Sequence, residues 1–268
     1  MPPVTRTWTG ATSGAFDETT NWLGGVIPLV TDHLVFDRGT RDLDSVTPGF
    51  ALGNIVTTSG YKGRIAPGGS FNADCDSIRH GSGSANYNGD CADVKINPTP
   101  GAKINLVGGT WTEAFAERAD ISVQSSGVIT TLRGRDIDLD DVGGTAYTLL
   151  EAAGASRIKT KRGGRIIVKS GSMADILDSA VLSANSKAES AGVIRYLSDA
   201  EIAGLVEVER KGVFSATENA SAFAFSGTLG LWPDAIYDLN TRAGSVTPAT
   251  FKPYGLSTSS NAGRPTPK

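Results

Sequence analysis

The sequence has only two cysteines, two methionines and two histidines in 268 residues, and no apolar run near the roughly eighteen residues of a membrane-spanning helix. Cys75 and Cys91, sixteen positions apart, allow one bridge and exclude a disulfide framework; they read first as two unreactive thiols. A zinc site would need His80 and a carboxylate such as Asp74 or Asp76, and the paired-cysteine spacing of finger sites is missing. With His33 and His80 alone, no motif assembles a Ser-His-Asp arrangement. There is also no Gly-x-Ser-x-Gly elbow and no phosphate-cradling loop. A formal charge of −3 supplies no field for nucleic acid or an anionic membrane. The expectation is a non-enzymatic protein with no cofactor, no metal, no catalytic residue and no membrane or nucleic-acid partner.

Glycine is abundant: 33 residues, about 12 % against a usual 7 % or so. Between the glycines lie short β-prone runs, among them Leu34-Val35-Phe36, Asn54–Thr58, Val94-Lys95-Ile96, Lys103–Val107, Val128–Leu132, Arg157-Ile158-Lys159 and Arg165–Val168. Most alternate apolar with polar residues, so one row of side chains faces in and the next faces out. Two helix candidates interrupt them. Over Ser172–Ser186, Met173, Ile176, Leu177, Ala180 and Val181 follow helical spacing, and a shorter one runs from Ser198 to Leu205.

Ile104, Ile121, Ile137 and Ile158 recur at 17, 16 and 21 residues, each flanked by polar residues. This loose period predicts an all-β, right-handed parallel β-helix or β-solenoid whose inward isoleucines pile into a column. An antiparallel β-sandwich or jelly roll is the alternative. A solenoid needs caps, and the termini differ in composition. The expected division is an N-terminal arm and cap over 1–36, a solenoid body over 37–212, an aromatic-rich module over 213–240, and an extended arm over 241–268. Trp8, Trp22, Trp232, Phe251 and Tyr254 are the expected capping or anchoring residues.

The opening residues Trp8-Thr9-Gly10, Asn21-Trp22, Gly24-Gly25, Pro28, Asp32 and Phe36 resemble an element found before right-handed β-helical stretches in bacterial surface and autotransporter-like proteins and in phage structural proteins. The likeness covers residues 6 to 36. It implies a scaffold on the outside of a cell or particle and no chemistry. In such an element Trp8 and Trp22 cover an open end, the glycines and Pro28 turn a corner, and Asn21 and Asp32 satisfy the backbone donors left there.

β-Helical pectin hydrolases bring carboxylates and a cation around one sugar bond. Their pieces occur here in scrambled order: Asn72-Ala73-Asp74, His80-Gly81, Asp140-Asp141 and Arg157-Ile158-Lys159. Asp136, Asp138 and Asp140 share a strand face and read as a solvated acidic row rather than a calcium site. Arg157, Lys159, Lys161, Arg162 and Arg165 form a basic row about one coil later, suited to offsetting the acids or to contacting a partner.

The start, Met1-Pro2-Pro3-Val4, has no basic region followed by an apolar stretch, while the few charges and many Gly, Ser, Thr and Asn residues suit life outside a cell. A virion protein meets both conditions. The resulting expectation is a homotrimeric protein decorating or cementing a phage capsid, with the major capsid protein or another virion protein as partner. The alternatives are a tail or fibre protein contacting the host, and a secreted carbohydrate-binding or carbohydrate-cleaving β-helix on a cell surface or in the medium.

Overall fold

The computed structural model describes residues 2–96, 102–143, 145–177, 182, 186–197, 202, 204–216, 225–241, 244–245 and 248–254. Apart from the short antiparallel pair Asn240–Thr241 with Gly244–Ser245, its strands pair in parallel, coil on coil, which is the β-solenoid that the alternation and the period predict; the sandwich alternative falls. Among the described residues the only helical turn is a 3-10 turn at Thr19–Asn21, and no helix is long and apolar enough to cross a membrane. By contacts the chain forms two compact units, Met1–Leu132 and Arg133–Lys268.

In the first unit, one parallel ladder runs through Thr5–Thr7, His33–Phe36, Leu52–Thr57, Cys75–His80, Cys91–Ile96 and the second half of Ala102–Glu117. Because side chains alternate along a strand while register is kept between coils, inward residues stack in columns. One column is Leu34, Ile55, Ile78, Val94 and Ala114. A second is Leu52, Cys75, Cys91 and Trp111, and a third is Phe36, Thr57, His80, Ile96 and Ala116. A second ladder stacks Ile65, Ala85 and Ile104, and Phe71, Tyr87 and Leu106. The long strand Ala102–Glu117 serves both ladders by turning at Gly108-Gly109. Gly109 has φ +86°, and a Cβ there would collide with the backbone of Gly89 one coil away.

The third column gives a pH prediction. His80 is fully buried, with Thr57 Oγ1 3.2 Å from Nδ1, and burial pushes the imidazole down to about 4 against a partial restoring contact with the Gly83 carbonyl. The unfolded chain therefore takes up a proton near pH 6.5 that the folded chain refuses until about pH 4. The stabilisation is complete above pH 6.5 and is lost as pH falls to 4, about 3 kcal/mol in all. Urea midpoints measured across this window should fall steeply for the natural chain and more gently for His80→Leu. Parallel slopes would assign the acid sensitivity to other groups.

The second unit has two ladders of the same kind. Asp138–Asp141, Arg157–Thr160, Met173–Ile176, Val193–Tyr196, Val213–Ser215 and Ile236–Asp238 form one, with Leu139, Ile158, Ala174, Ile194, Phe214 and Tyr237 as its inward column. Tyr147–Ala153, Gly164–Val168, Ser186–Ala188, Leu205–Val208, Thr228–Leu231 and Thr250–Pro253 form the other.

Two expectations need correction here. Residues 173–176 are a strand, not the start of a helix; Met173-Ala174-Asp175-Ile176 alternates half-buried with buried positions between two neighbouring coils. The continuation over 178–181 and 183–185, and most of the candidate from Ser198, lie outside the described residues. The isoleucine column also differs in detail. Ile158 stacks on Leu139, while Ile137 lies two positions earlier, its backbone N–H donating to Ser156 Oγ at 3.1 Å. All four isoleucines are buried, but a count between polar-Ile-polar triplets takes no account of the corners between strands.

Candidate functional site

At the N-terminus, Trp8, Phe16 and Trp22 are buried together against Phe36. Trp8 bridges Trp22 in antiparallel sense, with the two rings edge to face at 5.1 Å, and Phe16 meets Trp22 in the same way at 5.3 Å. The Trp22 indole donates to the Phe16 carbonyl at 2.7 Å, so a large apolar surface is buried without a stranded polar group. Leu23 donates its backbone N–H to the Thr7 carbonyl, and the Trp8 N–H bonds to the Val35 carbonyl in the following coil. Asn21 performs the role expected of it: its Oδ1 accepts the N–H groups of Thr12 and Ser13, and its Nδ2 donates to the Ala15 carbonyl.

Asp32 does the same on the other side of the corner. Its carboxylate accepts the backbone N–H groups of Val4 and Leu29 at 3.0 Å and pairs with Arg6 Nε at 2.9 Å. Burial works to raise this carboxyl, and the Arg6, Leu29 and Val4 donors outweigh it and hold it below the usual carboxylate range. The loop fixed in this way presents apolar side chains outward. Leu23 is 69 % exposed and Val30 60 %, with Val26 and Leu29 also exposed between them. The reading of the sequence missed this rim, because an aliphatic residue in a glycine-rich corner gives no sign of which way it points.

In the second unit the acidic and basic rows lie side by side, as the spacing of about one coil suggested. Asp138 is in register with Arg157, and Asp140 with Lys159. The row then continues through Asp175 and Arg195, which form a two-pronged ion pair at 2.6 and 2.7 Å. The outward file Asp140, Lys159, Asp175, Arg195 thus alternates in sign from coil to coil. Asp136 leaves this face: it turns with φ +54°, and its carboxylate accepts the Ala155 N–H. Among the described residues no group of three or more His, Cys, Asp or Glu side chains is placed to hold a metal ion.

Arg162 does not belong with Arg157, Lys159, Lys161 and Arg165 as a partner-contact residue. Those four are exposed, whereas the Arg162 and Asp141 side chains are both 0 % exposed and pair at 3.3 Å. The guanidinium lies 4.0 Å over the Tyr147 ring and donates through Nε to the Thr145 carbonyl; the Tyr147 hydroxyl donates to Asp141. Burial pushes the Asp141 carboxyl up against the pull of Arg162 and Tyr147. Asp140 and Asp141 therefore face opposite ways, one to solvent and one into the core. They do not converge on a common substrate position, and His80 lies in a core column.

Comparison with family models, with curated proteins and with solved structures gives no match.

The remaining anchor candidates sit late in the chain. Phe251 is half-buried against Tyr237 at 5.7 Å. Trp232 is 39 % exposed and stacks on Tyr254 at 5.2 Å. Tyr254 lies back over Gly230, where a side chain would obstruct it, and reaches Glu207, with Lys252 Nζ 5.0 Å from its ring. Residues 255–268 lie outside the described residues.

Proposed function

We propose that this chain is a non-enzymatic structural protein of a phage particle, decorating or cementing the capsid as a homotrimer. The observation that carries the proposal is the first coil. Its two indoles are already buried, yet the loop that follows them is pinned by Asp32 with Leu23, Val26, Leu29 and Val30 held in water. A cluster of four exposed aliphatic side chains on a rigid corner suits burial against another protein, and a virion shell protein is the partner assigned to it. The alternating outward charges of the second unit support the same reading, since they are spent on matching one coil to the next.

Quantitative mass spectrometry of purified virions should find hundreds of copies per particle, and light scattering of the isolated protein should give three times 27.8 kDa. Leu23→Asp combined with Val30→Asp should leave the fold intact and abolish incorporation. A handful of copies would indicate a tail protein instead, and none would end the proposal. The Trp232–Tyr254 pair, bordered by Lys252 and Glu207, favours a fibre that contacts host sugars as the second reading; specific glycan binding lost in Trp232→Ala would support it.

A further inference from the structure

Cys75 and Cys91 occupy equivalent positions in adjacent coils, so their separation of sixteen residues is one full turn. Neighbouring strands lie about 4.8 Å apart, within the Cα separation that a disulfide spans, and both side chains point the same way from the sheet. The two thiols are in register on neighbouring strands and influence each other's titration, and Cys91 Sγ donates to the Asp93 carbonyl at 3.6 Å. They line one wall of a surface groove of about 500 Å³, whose rim carries Asp74, Asp76 and Asp90. On the next strand, in register with Cys91, the Trp111 indole N–H is buried with no hydrogen-bond partner, as is the Tyr87 hydroxyl.

We propose that Cys75 and Cys91 are a reactive dithiol that closes to an intercoil disulfide by exchange with small cationic disulfides entering through the acidic groove. In the first step Cys91 Sγ, having given up its proton, bonds to one sulfur of the incoming disulfide and expels the other half, which leaves as a thiol with that proton. In the second, Cys75 loses its proton and attacks Cys91 Sγ, and the second half departs as a thiol. The protein loses two electrons and two protons, and the small disulfide is reduced to two thiols. The order follows from the two surroundings: the neighbouring Cys75 holds the Cys91 thiol below its ordinary range, while the neighbouring Cys91 and burial push Cys75 up. The acidic rim sets the preference for positive charge.

The test uses the full chain, reduced and then exposed to cystamine or to oxidised glutathione. With cystamine the intact mass should fall by two hydrogen atoms, and both thiols should resist alkylation. A tryptic digest should contain Ile65–Arg79 joined to His80–Lys95. Oxidised glutathione, which is anionic, should react more slowly, by a margin that shrinks with added salt. Cys75→Ser should trap a mixed disulfide on Cys91 about tenfold faster than Cys91→Ser traps one on Cys75. Two alkylatable thiols after cystamine treatment, both of the folded protein and of protein refolded in its presence, would overturn the proposal. A reagent left attached to the natural chain would do so too, as would an advantage for glutathione.

Discussion

Arg162→Ala is expected to destabilise the second unit by about 3–5 kcal/mol, the cost of leaving a buried charge without its partner. The guanidinium is fully enclosed with the Asp141 carboxylate, the Tyr147 ring and the Thr145 carbonyl around it. With it gone, Asp141 keeps the Tyr147 hydroxyl and the Gly143 N–H and has no opposing charge. Its carboxyl, already raised by burial, should rise further. A folded-state value above the unfolded one gives stability that is present at low pH and lost as pH rises through the folded value. The variant should therefore recover part of its loss on mild acidification. Replacing both partners, Arg162→Met with Asp141→Leu, should restore most of the stability, because an apolar pair needs no desolvation of charge. Denaturant unfolding of the three variants at two pH values checks all of this. A loss under about 1 kcal/mol for the single change, the size of an exposed pair, would show that water reaches the cluster.

Trp22→Ala should cost the first unit about 3–5 kcal/mol, as truncations of large buried aromatics do. The ring touches Trp8, Phe16 and Phe36, and its N–H holds the Phe16 carbonyl, so the substitution removes the centre of the lid and one of its hydrogen bonds. Hydrogen exchange should show the loss first at Thr5–Thr7 and His33–Phe36, the coil beneath the lid. Trp232→Ala, at a half-exposed position, should leave the unfolding midpoint nearly unchanged. The sequence offers the same residue type at both positions. If the two substitutions cost the same, the lid is not closed.

The strands could be read from the sequence because they rest on a local signal, two-residue alternation, and the burial of Trp8 and Trp22 was marked by their place among glycine, proline and asparagine. Arg162 could not. It sits in a run of five cations whose other members are exposed, and only the register of Asp141, Tyr147 and Thr160 shows that one of the five turns inward. The helical spacing of Met173, Ile176 and Leu177 spans barely one turn, and over so short a window it does not distinguish a helix from the single strand Met173–Ile176 that two neighbouring coils hold in register. The cysteine pair left its sign in plain view, as its spacing of sixteen equals a coil. A period becomes a contact only when the corners are counted, and Ile137 shows the error that follows when they are not.

The lid is made by the segment that precedes the first full coil, and each later ladder position in the first unit is filled by a strand further along the chain. A ribosome therefore delivers the parts in assembly order. The nascent chain can seal its own starting surface and offer each emerging strand a finished template, so the most aggregation-prone species, an unsealed ladder edge waiting for a distant partner, need not accumulate during synthesis.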